Sequence, residues 1–310
     1  VTLHKVFETF EYCIMEYLLL LCILKIKNLI MKKTILSFLL LFVCGGMFSQ
    51  DKGRIEYLKM PCKMLKGISQ RDYTLYLPPG YDADKADKYP VLYLLHGGGC
   101  EDTQWVTDGR LPKVVDSLIN NHIVPKMVIV CPEANKNKMI WFNDPDWTYE
   151  DFFFKEFIPY IESHYRVLND KSNRSLAGFS MGGGGSVVYG LHHPEYFNMV
   201  YAMSSYLRRQ PLEFLKNAPL GEWRQTVVER NNPIKYVAEC QQTKINDLNT
   251  VRWFIDCGDD DFTLEGNMDL VKTFRSRGVR HQFRVKDGNH NWDYWRPALV
   301  EAIKNAFNIK

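Results

Sequence analysis

The sequence predicts an α/β fold in which helices cover both faces of a mostly parallel central sheet. Short runs rich in apolar and β-branched residues, as at residues 91–95, alternate along the chain with longer helical patterns. These runs are almost continuously apolar, which is typical of strands buried on both faces. A single large domain is expected, because 46% of the 310 residues are hydrophobic and no linker-like segment interrupts the body.

The predicted elements follow one another as strand, helix and strand along most of the body. Strands are predicted at residues 71–77, 91–95, 127–130, 174–177, 199–203, 251–256 and 282–285. Helices are predicted at residues 111–119, 150–165, 181–192, 264–276 and 295–307. Strands that alternate with helices in this way pair in parallel, with the helices packed on the two faces of the sheet.

The first fifty residues have the features of a targeting segment. The basic residues Lys32 and Lys33 precede an apolar stretch, residues 35–43, which has signal-peptide length and is too short to span a bilayer. We expect residues 1–30 to be an over-extended start, residues 31–50 a signal peptide cut between residues 46 and 51, and residues 51–310 the folded domain. The protein is then periplasmic or secreted, with no membrane span after cleavage.

Two other interpretations of this segment remain open. The apolar runs at residues 17–24 and 35–43 would form an uncleaved anchor together, although the lysines between them are costly in hydrocarbon. Lipid attachment at Cys44 is a second alternative, disfavoured by the bulk of Val43. Both predict a protein that stays at the membrane.

Charge and cysteine content exclude several function classes. The net charge is +3, and +2 of it comes from the first fifty residues, so the body is nearly neutral and lacks the basic surface of a nucleic-acid-binding protein. Cysteine spacing shows no pair or cage typical of zinc sites. We expect no metal and no cofactor.

A Gly-x-Ser-x-Gly motif at residues 178–182 identifies Ser180 as a candidate nucleophile. Alone the motif is weak, but it follows a predicted strand and precedes a predicted helix. In the α/β-hydrolase fold this strand-turn-helix setting lifts the serine hydroxyl above the sheet. The sequence therefore predicts that fold, with a Ser180 that transfers acyl groups.

The same chemistry needs oxyanion donors and a general base. Residues 96–99, His-Gly-Gly-Gly, follow an earlier strand where this fold places one backbone N–H donor, and Met181 supplies the other. The base must follow Ser180 in the chain. His290 is the best candidate, because it lies in a polar loop between the last strand and the last helix.

The carboxylate that orients the histidine should follow the preceding strand, where four aspartates occur. These are Asp256, Asp259, Asp260 and Asp261. Several of them would serve equally well as solvated turn residues or at a helix start. Spacing alone does not choose among the three that follow Gly258.

The chain resembles the esterase family that includes esterase D, feruloyl and acetyl-xylan esterases of carbohydrate esterase family one, and enterochelin-esterase-like proteins. The resemblance runs from about Arg54 to the C-terminus and rests on residues 75–81 (LYLPPGY), 89–98 (YPVLYLLHGG), 178–183 (GFSMGG), 257–262 (CGDDDF) and 288–292 (GNHNW). It implies a Ser180, Asp261 and His290 triad, with the backbone of Gly98 and Met181 as the oxyanion hole. Asp260 is the rival to Asp261.

The resemblance implies removal of feruloyl or acetyl groups from plant polysaccharide, so the expected partner is a small or polysaccharide-linked ester. Among the tryptophans, Trp141 and Trp292 are the best candidates for substrate contact, because aromatic faces suit phenolic acids and sugar rings. One alternative is hydrolysis of a siderophore ester with the same triad. Another is a catalytically silent carbohydrate-binding relative, because fold alone does not prove function.

Overall fold

The computed structural model describes residues 15–17, 19–27, 31–33, 52–83, 85–134, 141–207, 216–217 and 220–307. The chain divides into two compact units, residues 1–50 and residues 51–310. The described residues of the first unit are helical and exposed. The predicted signal apolar stretch, the cleavage region and Cys44 lie outside the described residues. In the described parts of the chain, no helix combines the length and apolar character needed to cross a membrane.

The second unit is an α/β-hydrolase fold built on an eight-stranded sheet of order β1-β2-β4-β3-β7-β8-β9-β10. The strands are β1 (Arg54–Pro61), β2 (Gln70–Leu77), β3 (Val91–Leu95), β4 (Val128–Pro132), β7 (Arg174–Phe179), β8 (Met199–Met203), β9 (Arg252–Gly258) and β10 (His281–Lys286). The short strands β5 (Asn143–Asp144) and β6 (Trp147–Thr148) form a separate hairpin. From β4 to β10 the neighbouring strands of the large sheet are parallel, as predicted, whereas β1 and β2 pair antiparallel at one edge.

Helices connect the strands. They are α1 (Gln104–Thr107), α2 (Leu111–Asn120), α3 (Tyr149–Phe152), α4 (Ile158–His164), α5 (Met181–His192), α6 (Gly221–Arg230), α7 (Pro233–Glu239), α8 (Gln242–Leu248), α9 (Leu264–Arg277) and α10 (Trp292–Ala306). A π-helical turn, Phe153–Phe157, joins α3 to α4, and a 3₁₀ turn, Lys171–Asn173, precedes β7. The sequence analysis predicted α2, α5, α9 and α10, and a single helix over residues 150–165 where the structure has α3, the π-helical turn and α4. It missed β1, the β5-β6 hairpin and the helices α1, α6, α7 and α8.

Two apolar clusters cover the two faces of the sheet, which explains the almost continuous apolar strands. In β3, Val91, Tyr93 and Leu95 face one cluster, whereas Leu92 and Leu94 face the other. The first cluster contains residues of α5 and α9, and the second contains residues of α2 and α10. Because side chains alternate along a strand, both faces are buried only when helices cover both.

Candidate active site

Ser180 lies in a tight turn between β7, which ends at Phe179, and α5, which begins at Met181. Its backbone has φ 54° and ψ −120°, a conformation that a residue with a side chain seldom adopts. Three backbone hydrogen bonds hold it: the Ser180 N–H donates to Met203 O (3.0 Å), and its carbonyl accepts from Tyr206 N (2.8 Å) and Gly184 N (3.0 Å). The serine hydroxyl is therefore presented at the carboxyl edge of the sheet.

The glycines of the motif are required by close backbone approach. A Cβ atom on Gly182 would lie 2.4 Å from His96 O and 2.5 Å from Leu95 O. A Cβ on Gly178 would lie 2.4 Å from Gly182 O. The backbone oxygens could move away only if β3 or α5 shifted. Only glycine at these positions therefore allows β3, the turn and α5 to pack together.

His290 and Asp261 reach Ser180 from two later loops. The Nε2 atom of His290 lies 2.9 Å from Ser180 Oγ, and its Nδ1 atom lies 2.9 Å from both carboxylate oxygens of Asp261. Because an ionised carboxylate only accepts hydrogen bonds, Nδ1 carries the proton and Nε2 is free to accept from the serine hydroxyl. The structure thus joins the three predicted residues in one series of hydrogen bonds.

The Asp261 carboxylate is buried and held ionised. Burial raises the pKa of Asp261, but hydrogen bonds from His290, Thr263 and Ser204 outweigh that effect and keep the pKa below its usual range. Thr263 donates through both its backbone N–H (2.8 Å) and its hydroxyl (2.7 Å) to Oδ1. The negative charge therefore persists beside the histidine at neutral pH.

The other three aspartates occupy different places. Asp256 is buried in β9, where its carboxylate accepts hydrogen bonds from the hydroxyls of Tyr201 and Tyr294. Asp259 is exposed and accepts from Gly288 N at 2.9 Å, which ties the acid loop to the histidine loop. Asp260 is also exposed. Tertiary structure thus places Asp261 alone of these aspartates against His290.

The predicted oxyanion donors belong to α5 and to the loop after β3. Met181 is the first residue of α5, where backbone N–H groups have no acceptor within the helix. Gly98 lies in the loop after β3, and this loop packs against the nucleophile turn, since a Cβ on Gly97 would meet the Phe179 ring at 2.5 Å. The two predicted donors therefore belong to segments that pack together at Ser180, and their role stays a prediction.

The two predicted substrate contacts differ in exposure. Trp141 is 1% exposed and packs on Gly185, Tyr149 and the His96 ring, so in this structure it is a core residue beneath the site. Trp292 is half-buried and packs against the rings of Trp105, Phe179 and Trp295, with part of its surface accessible. Substrate contact by either residue stays a prediction.

Sequence analysis missed Phe262 and Ser204 beside His290, and it considered Trp295 only as one of several aromatic residues that could line a cleft. Phe262 is 59% exposed, and its ring centroid lies 4.4 Å from that of His290. Trp295 packs edge-on against the His290 ring and donates its indole N–H to Ser204 Oγ (3.0 Å). The position of Ser204 directly after β8 was the available signal, because polar side chains at the carboxyl ends of parallel strands often serve a site.

Among the described residues, one group has the spacing of metal ligands. Asp259, Asp260 and Asp287 bring carboxylate oxygens within 4.8 Å of one another. All three side chains are exposed, and the Asp259 carboxylate already accepts from backbone N–H groups.

The described cysteines after residue 50 are free thiols, of which Cys62, Cys131 and Cys257 are buried.

Comparison with known proteins gives consistent matches. The profile of the family described as "Putative esterase" matches residues 69–306. A solved ferulic acid esterase superposes with a TM-score of 0.76 at 40% identity, covering 82% of this chain and 97% of that one. An S-formylglutathione hydrolase of Staphylococcus aureus superposes with a TM-score of 0.63 at 19% identity, covering 82% and 100% of the two chains, which shows a shared fold.

A curated relative combines two activities in one longer chain. The endo-1,4-beta-xylanase/feruloyl esterase of Xylanibacter ruminicola is 26% identical over 240 residues, which is 75% of this chain. The match spans 29% of the length of that relative. The similarity therefore concerns one part of a larger protein.

Proposed function

The chain belongs to this esterase family, and we propose that it is a carboxylic ester hydrolase that cleaves its ester through an acyl-enzyme formed on Ser180. The observation that carries the proposal is the series of hydrogen bonds from Ser180 Oγ through His290 to Asp261, each 2.9 Å long. A serine hydroxyl is a poor nucleophile until a base takes its proton. The series provides that base in the correct tautomer.

In the first half of the reaction Ser180 Oγ attacks the ester carbonyl carbon while His290 Nε2 takes the hydroxyl proton. The carbonyl oxygen becomes an oxyanion, and the N–H groups of Gly98 and Met181 donate to it. His290 then protonates the leaving alcohol as the bond to it breaks. The acid portion remains on Ser180 as an ester.

In the second half water takes the place of the alcohol. His290 accepts a proton from the water, whose oxygen attacks the acyl carbon, and then returns the proton to Ser180 Oγ as the acid leaves. The Asp261 carboxylate stabilises the imidazolium in both halves and keeps Nδ1 protonated. Its low pKa supports this role, because a neutral acid would not stabilise the cation.

The proposed substrate is a feruloyl or acetyl ester of plant polysaccharide. The 40% identity to a ferulic acid esterase and the match to a xylanase/feruloyl esterase support it. Phe262 offers an exposed aromatic ring next to His290, where an aromatic acyl group would lie. Export, which we also propose, would bring such an enzyme to polysaccharide outside the cytoplasm.

The mechanism is tested with wild type and Ser180→Ala side by side. Wild type is expected to hydrolyse p-nitrophenyl acetate and to be labelled by a fluorophosphonate probe, and Ser180→Ala to lose both while keeping its circular dichroism spectrum. Ser163→Ala, at an exposed serine in α4, is the matched control. Near wild-type turnover in folded Ser180→Ala contradicts the mechanism.

The substrate is tested separately. Rates on methyl ferulate, acetylated xylan and the siderophore ester enterobactin are compared for the same preparation. We expect kcat/KM to be highest on the feruloyl or acetyl substrates. A clear preference for enterobactin contradicts the proposed substrate and leaves the mechanism untouched.

A further inference from the structure

His96 is a buried histidine that the proposed mechanism does not use. It follows β3 directly, is 1% exposed, and precedes the glycines of the oxyanion loop. Ala134 N donates to its Nε2 atom at 3.0 Å. Because Nε2 accepts that bond, the ring proton must be on Nδ1, which lies 2.8 Å from Gly97 O and donates to it.

Fixing the Gly97 carbonyl also fixes the N–H of Gly98. The two groups belong to one peptide unit, and the described residues contain no cis peptide bond, so C=O and N–H point in opposite directions. Cys100 N donates to the same carbonyl at 3.3 Å. The peptide 97–98 joins two glycines, so few steric contacts oppose a rotation of its plane by about 180°. Such a peptide flip would point the Gly98 N–H away from the oxyanion.

The donor on the other side of His96 is held in the same way. The Ala134 N–H shares its peptide unit with the carbonyl of Glu133, which accepts from Arg71 Nε and from the Tyr149 hydroxyl, each at 2.6 Å. Arg71 is 2% exposed, and its guanidinium lies 3.8 Å from the Glu133 carboxylate. The peptide that contacts His96 is therefore anchored by a buried cation.

These bonds form one directional chain. Arg71 and Tyr149 donate to the peptide 133–134, that peptide donates to His96, and His96 donates to the peptide 97–98. Every donor points toward the Gly98 N–H, and hydrogen bonds arranged head to tail polarise one another in a low-dielectric interior. Burial lowers the pKa of His96, which keeps the ring in the neutral form that the chain requires.

We propose that His96 is a positioning residue that holds the peptide 97–98 with its N–H toward the reacting oxygen, through a hydrogen-bond chain that begins at buried Arg71. The inference rests on the proposed function, because it takes the Gly98 N–H as an oxyanion donor. It assigns no contact between His96 and the substrate.

The test compares His96→Leu with His96→Asn in the full chain. His96→Leu removes both bonds, and we expect kcat on p-nitrophenyl acetate to fall about 10²- to 10³-fold, the usual loss of one oxyanion donor, with KM changed less than about twofold. A trifluoromethyl ketone, which forms an oxyanion adduct with the serine, is expected to bind more weakly by a similar factor. Affinity for the product acid should stay constant.

His96→Asn keeps a donor near the Nδ1 position and should recover at least about tenfold of the loss in kcat. His281→Leu is the matched control, because His281 Nδ1 also lies 2.8 Å from a backbone carbonyl, that of Val279, and His281 begins β10 at the edge of the sheet opposite the site. We expect it to retain wild-type kcat. The shape of the pH profile should be the same in all variants, because none of these substitutions changes Ser180, His290 or Asp261.

Three results overturn the inference: folded His96→Leu with kcat within threefold of wild type, a loss that appears mainly in KM, or weakening of the ketone and the product acid alike. Should His96→Leu not fold, Tyr149→Phe removes one anchor of the chain and is expected to lower kcat about threefold or more at constant KM. An unchanged kcat in Tyr149→Phe also overturns the inference. Failure of the proposed function is distinguishable, since it shows as labelling of Ser180→Ala.

Discussion

At the scale of single residues, the site depends on how each acidic group is surrounded. Asp261 and Asp260 are neighbours in sequence, yet one is buried against His290 and Thr263 and the other faces solvent. Their chemistry differs for that reason alone. Replacing each aspartate by asparagine keeps the shape of the side chain and removes its charge, so the two variants distinguish the roles of Asp261 and Asp260.

Asp261→Asn is expected to lower kcat by about three to four orders of magnitude, because the amide no longer stabilises the imidazolium or selects the tautomer. Asp260→Asn should change kcat less than about twofold and stability by less than about 0.5 kcal/mol, because its side chain is exposed. Both are measured by steady-state kinetics with circular dichroism as the folding control. A collapse in Asp260→Asn with an active Asp261→Asn reverses the assignment.

The low pKa of Asp261 predicts how stability responds to acid. Its pKa in the folded protein lies below the ordinary value of 3.8, so its contribution is fully present above that value and is lost as the pH falls through the folded pKa. The difference in urea midpoint between wild type and Asp261→Asn should be constant from about pH 7 to pH 5 and shrink below about pH 4. A difference that grows on acidification contradicts the assigned ionisation.

Phe262→Ala tests whether the exposed ring beside His290 contacts the acyl group. We expect kcat/KM on methyl ferulate to fall about three- to tenfold, the value of one aromatic contact, and that on p-nitrophenyl acetate to change little. Tyr57→Ala is the matched control, because Tyr57 lies in β1 and is similarly exposed at 60%. Equal losses on both esters show that Phe262 supports His290 and does not select the acyl group.

At the scale of elements, the site is assembled where β7, β8 and β9 end. Ser180 follows β7, Ser204 follows β8, and the acid loop follows β9. Parallel strands present their carboxyl ends at one edge, so loops that are distant in sequence meet there. The packing of α5 against β3 depends on Gly182, because a Cβ atom there would meet the backbone of residues 95 and 96.

Gly182→Ala tests that packing. The added Cβ would meet two backbone oxygens of residues 95 and 96, so we expect a loss of about 1–3 kcal/mol of stability together with loss of activity, because the oxyanion loop must shift. Gly278→Ala is the control: its φ of 75° is unfavourable for alanine, but nothing lies within 4 Å. That variant should lose about 1 kcal/mol and keep full kcat. Denaturant unfolding measures the stability of both variants, and steady-state kinetics measures their kcat. A Gly182→Ala variant with wild-type activity contradicts the packing argument.

At the scale of the whole molecule, the hydrogen-bonded Ser180, His290 and Asp261 lie in the unit of residues 51–310. The preceding residues carry the predicted signal for export. A chain produced from Met31 in a bacterium with a Sec system should appear in the periplasm, with a new N-terminus between Met47 and Asp51 and with esterase activity. Mass spectrometry identifies the terminus. Membrane-bound protein with an intact Met31 would instead favour an anchor.

The sequence by itself determined the features that local chain chemistry dictates. Alternating apolar runs and helical patterns predicted the α/β class, and Gly-x-Ser-x-Gly between a strand and a helix identified Ser180 as a candidate nucleophile. His290 followed from its loop and its place in chain order. The helices α6, α7 and α8 were missed because they lack a clear apolar stripe or are short, and β1 because its residues are only partly buried.

Tertiary structure alone decided which groups meet. Asp261 is 29 residues from His290 in the sequence, and Ser180 is 110 residues from His290. No local pattern could therefore choose Asp261 over Asp260 without a family resemblance. The sequence offered Trp141 as a candidate for substrate contact, but packing against Gly185, Tyr149 and His96 buries it. The role inferred for His96 depends on the neighbouring peptide 97–98 and on the peptide 133–134, which the fold brings to its ring from the end of β4. Burial and hydrogen-bond partners arise from contacts between distant segments, and these form only when the chain has packed.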